Sequence, residues 1–363
     1  MKYNCFRPGE VWLDTEGKPI QAHGFSVMYS EKEQTYYWYG ENKEKTTGAE
    51  NNTIWHWGVR CYASKDLYNW EDKGLIIPPE DDLNSPLHPT YCMDRPHILY
   101  CKKTGKYVAW LKIMAGPVSQ FMSVLEADDF MGPYRFVHKI YKPLLMDTGD
   151  FTLAVDENTG KGYFIFGRPH FELITAELTD DFTEVTGKYQ TNYSGMYPPY
   201  AREAPTYFAR DGIRYLITSG TSGYSPNPSQ ICRFTDWFST YEDLGNPCVG
   251  DGATTSFCSQ FTCVIKVQGT DCYIAMADRW RPSEYEVEHA EELYQEWVDN
   301  ARKSEFRAQF QADRSPKYPE PLSGKLEIHR ENTSVARYVW LPIQWDNEKP
   351  VIYWKDEWKL PEQ

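Results

Sequence analysis

Five polar residues, His23, Asp94, Asp150, Glu203 and Gln260, each stand at the head of a strand-like segment, with separations of 71, 56, 53 and 57 residues. Their neighbours correspond as well: Asp94 and Glu203 are each followed two positions on by Pro, and Asp150 and Gln260 by Phe-Thr. Three carboxylates, an amide and an imidazole gathered in one place would form an acid–base set. Carboxylates crowded together away from water repel one another, which raises at least one of their pKa values. A carboxyl that stays protonated near neutral pH is a general acid, and an ionised neighbour is what keeps it so. The same groups also suit water or cation binding and the capping of backbone, and each residue taken singly reads equally well as structural.

The segments that carry these residues repeat one form. GFSVMYSEKEQTYYWYGEN from Gly24, DRPHILYCKKTGKYVAWLKI from Asp94 and DFTLAVDENTGKGYFIFGRP from Asp150 each read as strand, polar turn, strand. EAPTYFARDGIRYLITSGTSGY from Glu203 and QFTCVIKVQGTDCYIAMADRW from Gln260 do the same. Between them lie second strand pairs, such as GVRCYASKDLYNWEDKGLII and SQICRFTDWFSTYEDLGNP. Five repeats of about four strands predict an all-β, five-bladed β-propeller over residues 1–363. The first strand of each blade lines the central axis, so the five polar residues are expected around one pocket. From Glu284 to Phe310 the pattern changes: Val287, Ala290, Tyr294, Trp297, Val298 and Ala301 recur at three- and four-residue steps, predicting an amphipathic helix. Strand-like sequence resumes with RYVWLPIQW, so the helix reads as an insertion in the last blade, with residues 324–363 completing that blade.

Composition narrows the function. Thirty-eight Lys and Arg against 52 Asp and Glu give a net charge of −14, which disfavours nucleic acid and anionic membranes as partners. Aromatic residues reach 16%, a composition that suits strands and flat, half-wet surfaces for a sugar-like ligand. The nine cysteines have neither zinc spacing nor a complete disulfide pattern and are expected as reduced, mostly buried thiols. The opening MKYNCFRPGEVWLDTEG lacks the basic and apolar regions of a secretory signal, and no apolar run of about 18 residues exists, so a cytoplasmic location is expected.

A set of short motifs in order along nearly the whole chain makes the reading more specific: QAHG at Gln21, WYGE ending at Glu41, DRP at Asp94, GDFTL at Gly149, REAP at Arg202, LITSGTSG at Leu216, SQFT at Ser259, MADRW at Met276 and RYVWLPI at Arg337. In these the sequence resembles family 43 of the glycoside hydrolases, five-bladed propellers that cleave glycosidic bonds with inversion, and is most similar to the exo-β-1,3-galactanase-like branch. The resemblance implies that Glu203 is the general acid and Asp150 the carboxylate that orients it and raises its pKa. The family's usual first-blade aspartate base is replaced here by His23. In the galactanase-like branch, a glutamine at the position of Gln260 and a carboxylate at that of Asp94 are associated with holding the attacking water. Asp94 is one methylene shorter than the Glu that similar sequences carry.

Glu41, Arg95, Thr221, His23 and Trp280 are the expected substrate contacts, with Trp38, Trp55, Trp57 and Tyr224 as further candidates for stacking on a sugar ring. The implied partner is an oligosaccharide bearing terminal β-1,3-linked galactose. A β-galactofuranosidase, an α-L-arabinofuranosidase or a non-catalytic sugar-binding propeller are the alternatives. Asp94, Glu41 and His23 all qualify to take the water's proton. No cofactor is expected; a structural divalent cation in the channel is compatible with the resemblance, but no ligand spacing calls for one, and no metal ligands are assigned.

Overall fold

The computed structural model describes residues 2–115, 119–311 and 313–362, which contain five sheets, antiparallel except at one short edge strand, that are the five blades of a β-propeller. Blade 1 comprises β1 (His23–Ser30), β2 (Thr35–Glu41), β3 (Val59–Ser64) and β4 (Glu71–Ile77). Blade 2 comprises β5 (Cys92–Cys101), β6 (Lys106–Met114), β7 (Gln120–Ala127) and β8 (Arg135–Tyr141), and blade 3 comprises β9 (Phe151–Val155), β10 (Gly162–Arg168), β11 (Glu172–Leu178) and β12 (Val185–Asn192). Blade 4 holds β13 (Arg202–Arg210), β14 (Ile213–Gly220), β15 (Gln230–Phe234) and β16 (Glu242–Gly245). Blade 5 is built from β17 (Cys248–Val249), β18 (Gln260–Lys266), β19 (Tyr273–Arg279), β20 (Arg337–Asp346) and β21 (Lys349–Tyr353), with the short β17 running parallel to β21 at its outer edge.

Each pair of neighbouring blades encloses its own apolar core, so the middle strands are buried on both faces and read as near-continuous apolar runs. Successive side chains point to opposite faces: in β14, Tyr215 and Ile217 enter the core shared with blade 5, while Leu216 enters the one shared with blade 3. The ring closes between blades 5 and 1 in an aromatic core that includes Phe25, Trp38, Tyr338 and Trp340. There Phe6 and Trp358, near the two ends of the chain, exchange backbone hydrogen bonds of 2.8 and 3.1 Å and stack with ring centres 4.3 Å apart.

The expected insertion lies between β19 and β20 but is not one helix. It is three: α1 (Glu284–Glu288), α2 (Ala290–Ala301) and α3 (Ser304–Ala308). His289 (φ −103°, ψ 18°) and the extended Lys303 (φ −82°, ψ 133°) interrupt a pattern whose apolar spacing alone is continuous. The last blade resumes only at Arg337, so residues 324–336, expected within it, belong instead to an irregular strap that visits other blades. Arg168 donates to Asp313 O (2.8 Å) in blade 3, Lys317 N to Leu145 O (2.6 Å), Glu327 N to Thr90 Oγ1 (2.7 Å) beside blade 2, and His329 N to Asn52 O (2.9 Å) within blade 1. No helix of the described residues is long and apolar enough to cross a membrane.

Candidate active site

At the head of the inner strands the backbone is irregular, and the irregularity aims the side chains. The register slips just after His23 in β1, Asp94 in β5 and Glu203 in β13, and the following residue turns left-handed: Gly24 (φ 53°), Arg95 (φ 49°) and Ala204 (φ 50°). A β-bulge of this kind bends the strand and redirects its side chains, and a left-handed Arg or Ala stores strain of the kind that collects at functional sites. Asp94 and Glu203, so placed, line one cavity of about 240 Å³ at the axis together with Asp150 and Gln260, making four of the five column residues. The second strands supply the residues directly across the ladder: Lys112 opposite Asp94, Ser219 opposite Glu203 and Asp278 opposite Gln260.

The four are not arranged as two separate pairs. Lys112 Nζ joins Asp94 (3.3 Å) to Asp150 (2.9 Å). Arg95 donates through Nε to Asp150 (3.0 Å), through Nη2 to Gln260 Oε1 (2.5 Å) and through its backbone N–H to Glu41 Oε1 (2.9 Å). Gln260 gives its two N–H groups to Glu203 Oε1 (3.3 Å) and Ser219 Oγ (2.9 Å), while its oxygen accepts from Arg95 and from Trp280 Nε1 (3.1 Å). An amide has two hydrogens and two lone pairs, so Gln260 has none left for a water in this arrangement.

Two carboxyls in this one site are driven in opposite directions. Burial pushes the Glu203 carboxyl up, the negative charge of Asp150 adds to it, and together they outweigh the nearby cations and hold the group at about 8. Asp150 is also buried, but Arg95 and Lys112 overcome that and hold its carboxyl well below the usual range. One is therefore an acid at neutral pH and the other a fixed anion, the division of labour that separates a proton donor from its orienting partner. Glu41 is raised to about 7, first by burial and then by Asp94, against the pull of Lys43.

Two expected contacts lie elsewhere. His23 is fully buried and does not line the cavity: its Nδ1–H donates to Asp278 (3.1 Å), its Nε2 is 3.2 Å from Gln21 Oε1, and its ring stacks on Tyr338. The reason is Gly24, where a Cβ would stand 2.1 Å from Glu41 Oε1; the Glu41 carboxylate crosses the bare backbone and takes the place at the mouth that a first-blade column residue would hold. Thr221 is buried, its N–H tied to Pro199 O (3.1 Å), and it too is outside the cavity lining. Trp38 is core, and Trp57 lies under Lys45 rather than at the pocket.

Trp55, Tyr224 and Trp280 do line the cavity as an aromatic arc, Tyr224 lying 6.3 Å from Trp55 and 5.8 Å from Trp280. Trp55 also donates to Asp94 Oδ1 (3.0 Å) and carries Lys43 Nζ over its ring at 4.0 Å. Sequence reading missed Lys112, Lys43, His170 and Arg202. The signal for Lys112 was present, because it sits across a short hairpin from Asp94, in the register the turn sets. Among the described residues no group of three or more His, Cys, Asp or Glu side chains is placed to hold a metal ion.

Residues 19–247 match the family described as Glycosyl hydrolases family 43. The chain belongs to this family. No curated protein matches it. Among solved structures, a family 43 β-1,3-galactosidase is similar at 27% identity and a TM-score of 0.76, covering 99% of this chain and 64% of its own. A second family 43 β-1,3-galactosidase, solved with galactodeoxynojirimycin, has 27% identity and a TM-score of 0.74 over 98% of this chain and 100% of that one. An exo-β-1,3-galactanase from Clostridium thermocellum is 25% identical, with a TM-score of 0.70 over 97% of this chain and 66% of that one. The present chain thus spans about two thirds or less of the length of the first and third of these. At the head of blade 1 of this family 43 member the imidazole of His23 is buried and Glu41, from the second strand, faces the pocket.

Proposed function

We propose that this chain is an inverting, exo-acting glycoside hydrolase that releases terminal galactose from β-1,3-linked galactan or galactooligosaccharides. The observation that carries the reading is Glu203, held protonated to about pH 8 beside the ionised Asp150 on the wall of a cavity of about 240 Å³. That volume is below the roughly 300–1,000 Å³ of drug-sized sites and suits a single sugar ring, which favours attack at a chain end. The names of the similar galactosidases and galactanase support galactose as that sugar.

In the proposed reaction the Glu203 proton passes to the glycosidic oxygen, which leaves with the bonding electron pair. Water attacks the anomeric carbon from the opposite face and gives its proton to Asp94. Asp150 stays ionised throughout. Gln260 serves the acid: its amide fixes Glu203 and joins it to Arg95 and Trp280. Because its hydrogen-bonding capacity is spent, activation of water falls to Asp94, with Glu41 next to it. Arg95, Glu41 and the arc of Trp55, Tyr224 and Trp280 hold the sugar, its apolar face against the aromatic rings. The proton returns from Asp94 to Glu203 through bulk water after product leaves.

A panel of nitrophenyl glycosides and β-1,3-galactooligosaccharides tests the assignment. Galactose is expected as the sole monosaccharide released, from β-1,3-galactobiose and longer chains. Turnover of arabinofuranosides or galactofuranosides with no release from β-1,3-galactobiose, or saturable binding of galactobiose without hydrolysis, would contradict it.

A further inference from the structure

Val108, Trp110 and Lys112 fall on one face of β6, since alternate residues of a strand point the same way. Val108 and Trp110 are buried in the apolar core that blades 2 and 3 share. The row ends at the cavity in Lys112, itself buried, whose ammonium stands between carboxylates of two blades, 3.3 Å from Asp94 Oδ2 and 2.9 Å from Asp150 Oδ1. In the proposed reaction one negative charge changes place, because Asp94 begins ionised and ends protonated while Glu203 does the reverse. We propose that Lys112 is a positioning residue for this exchange: it holds Asp94 ionised and aimed before water attacks, and it offsets the charge left on Glu203 afterwards. The inference rests on the proposed function and supplies the counter-ion of that reaction.

The two aspartates depend on Lys112 unequally. Asp150 has a second cation, Arg95, at 3.0 Å, whereas among the described residues Lys112 is the only cation paired with Asp94. Trp55 Nε1 donates to the other Asp94 oxygen at 3.0 Å, so both oxygens are fixed. A carboxylate has about four lone-pair sites, and two contacts leave it able to accept from a water. Without Lys112, Asp94 would be a largely buried anion facing the ionised Asp150, an uncompensated charge of the kind that is strongly unfavourable away from water.

The same ammonium acts on the acid. Burial and the Asp150 charge raise the Glu203 carboxyl, and Lys112 leads the cations that oppose them. Before the reaction Asp94 and Asp150 balance Lys112 and Arg95; after it Asp150 and Glu203 do. No ion has to enter from solvent, because the cation that Asp94 releases on taking its proton already acts on the carboxylate that forms. The titratable and charged groups facing Lys112 are Cys92, Asp94 and Arg95 from β5, Asp150 from the head of β9, His170 from the turn after β10 and Glu203 from β13.

The test is the pH profile of kcat/KM on β-1,3-galactobiose in the unmodified chain, in Lys112→Met, which keeps the stem and removes the charge, and in Lys112→Arg, which keeps the charge. Loss of a cation disfavours the ionised forms of Asp94 and Glu203 alike. The Lys112→Met profile is therefore expected to move to higher pH as a whole, its alkaline limb by about one unit, with a loss of about tenfold at about pH 6 that shrinks as the pH rises. Lys112→Arg is expected to bring the limbs back. A Lys112→Met profile with unmoved limbs and a uniform loss, as a merely structural lysine predicts, overturns the inference and leaves the proposed function standing; failure of the unmodified chain to cleave galactobiose overturns both. Should Lys112→Met not fold, the comparison is made in an Asp94→Asn background, where removing Lys112 leaves no anion at position 94. Carbon-13 NMR of the glutamate carboxyls, with Glu203→Gln to identify the signal, is then expected to show Glu203 titrating at higher pH in the double variant than in Asp94→Asn, and equal midpoints overturn the inference.

Discussion

Glu203→Gln is expected to lower kcat on β-1,3-galactobiose by about 10²- to 10⁴-fold, the contribution typical of a positioned general acid, or about 3 to 5.5 kcal/mol of transition-state stabilisation. The substitution keeps the shape of the side chain and leaves an oxygen to accept from Gln260, so the loss reports the missing proton and not a collapsed pocket. A dinitrophenyl galactoside, whose leaving group departs without protonation, is expected to suffer far less. The diagnostic quantity is this difference between poor and good leaving groups, measured by steady-state kinetics on the same preparation. Near-normal turnover of galactobiose, or equal losses on both substrates, would remove Glu203 from the acid role.

The second large effect is expected at Asp150, which never touches the leaving oxygen in the proposed reaction. Its negative charge is one of the two causes that hold Glu203 at about 8, and its partners Arg95 and Lys112 keep it ionised. Asp150→Asn removes the anion and leaves both cations facing Glu203, so the acid's pKa must fall. In the unmodified chain the acid is competent below about pH 8, and kcat/KM is expected to decline as pH rises through that value. In Asp150→Asn the alkaline limb is expected to move to lower pH. The loss should be about 10²-fold at pH 7, within the range general acids contribute, and should shrink as pH falls and Glu203 regains its proton. A merely structural role for Asp150 predicts lower stability or a uniform loss with the limb unmoved, and a profile that keeps its limb near pH 8 would count against the acid–orienter pairing.

The repeating hairpins made the five blades legible, and the column of His23, Asp94, Asp150, Glu203 and Gln260 was legible because strand heads align by motif. Four of those five line the cavity. What stayed hidden depends on one-residue details of the backbone. A bulge after His23 and a glycine at position 24 let Glu41 cross the strand and withdraw the imidazole, and neither the slip nor the crossing has a signature in spacing. The cations were hidden for another reason. Lys112 lies in an apolar run, YVAWLKIM, where a lone lysine reads as a solvent-facing edge; only the cross-strand register places it between two carboxylates. Crowded carboxylates were foreseen, whereas the counter-charges that keep Asp150 ionised while Glu203 is protonated were not. The strap over residues 313–336 has no period of either kind, so nothing in the sequence marks it as a rim running between blades.

The most direct test of the whole account is proton NMR of β-1,3-galactobiose digestion, followed before the released sugar mutarotates. Water delivered from the face opposite Glu203 yields α-galactose as the first anomer to appear, with β-galactose growing in later. Release of β-galactose first would mean retention, and would contradict a reaction in which Glu203 gives the proton and a water beside Asp94 makes the attack.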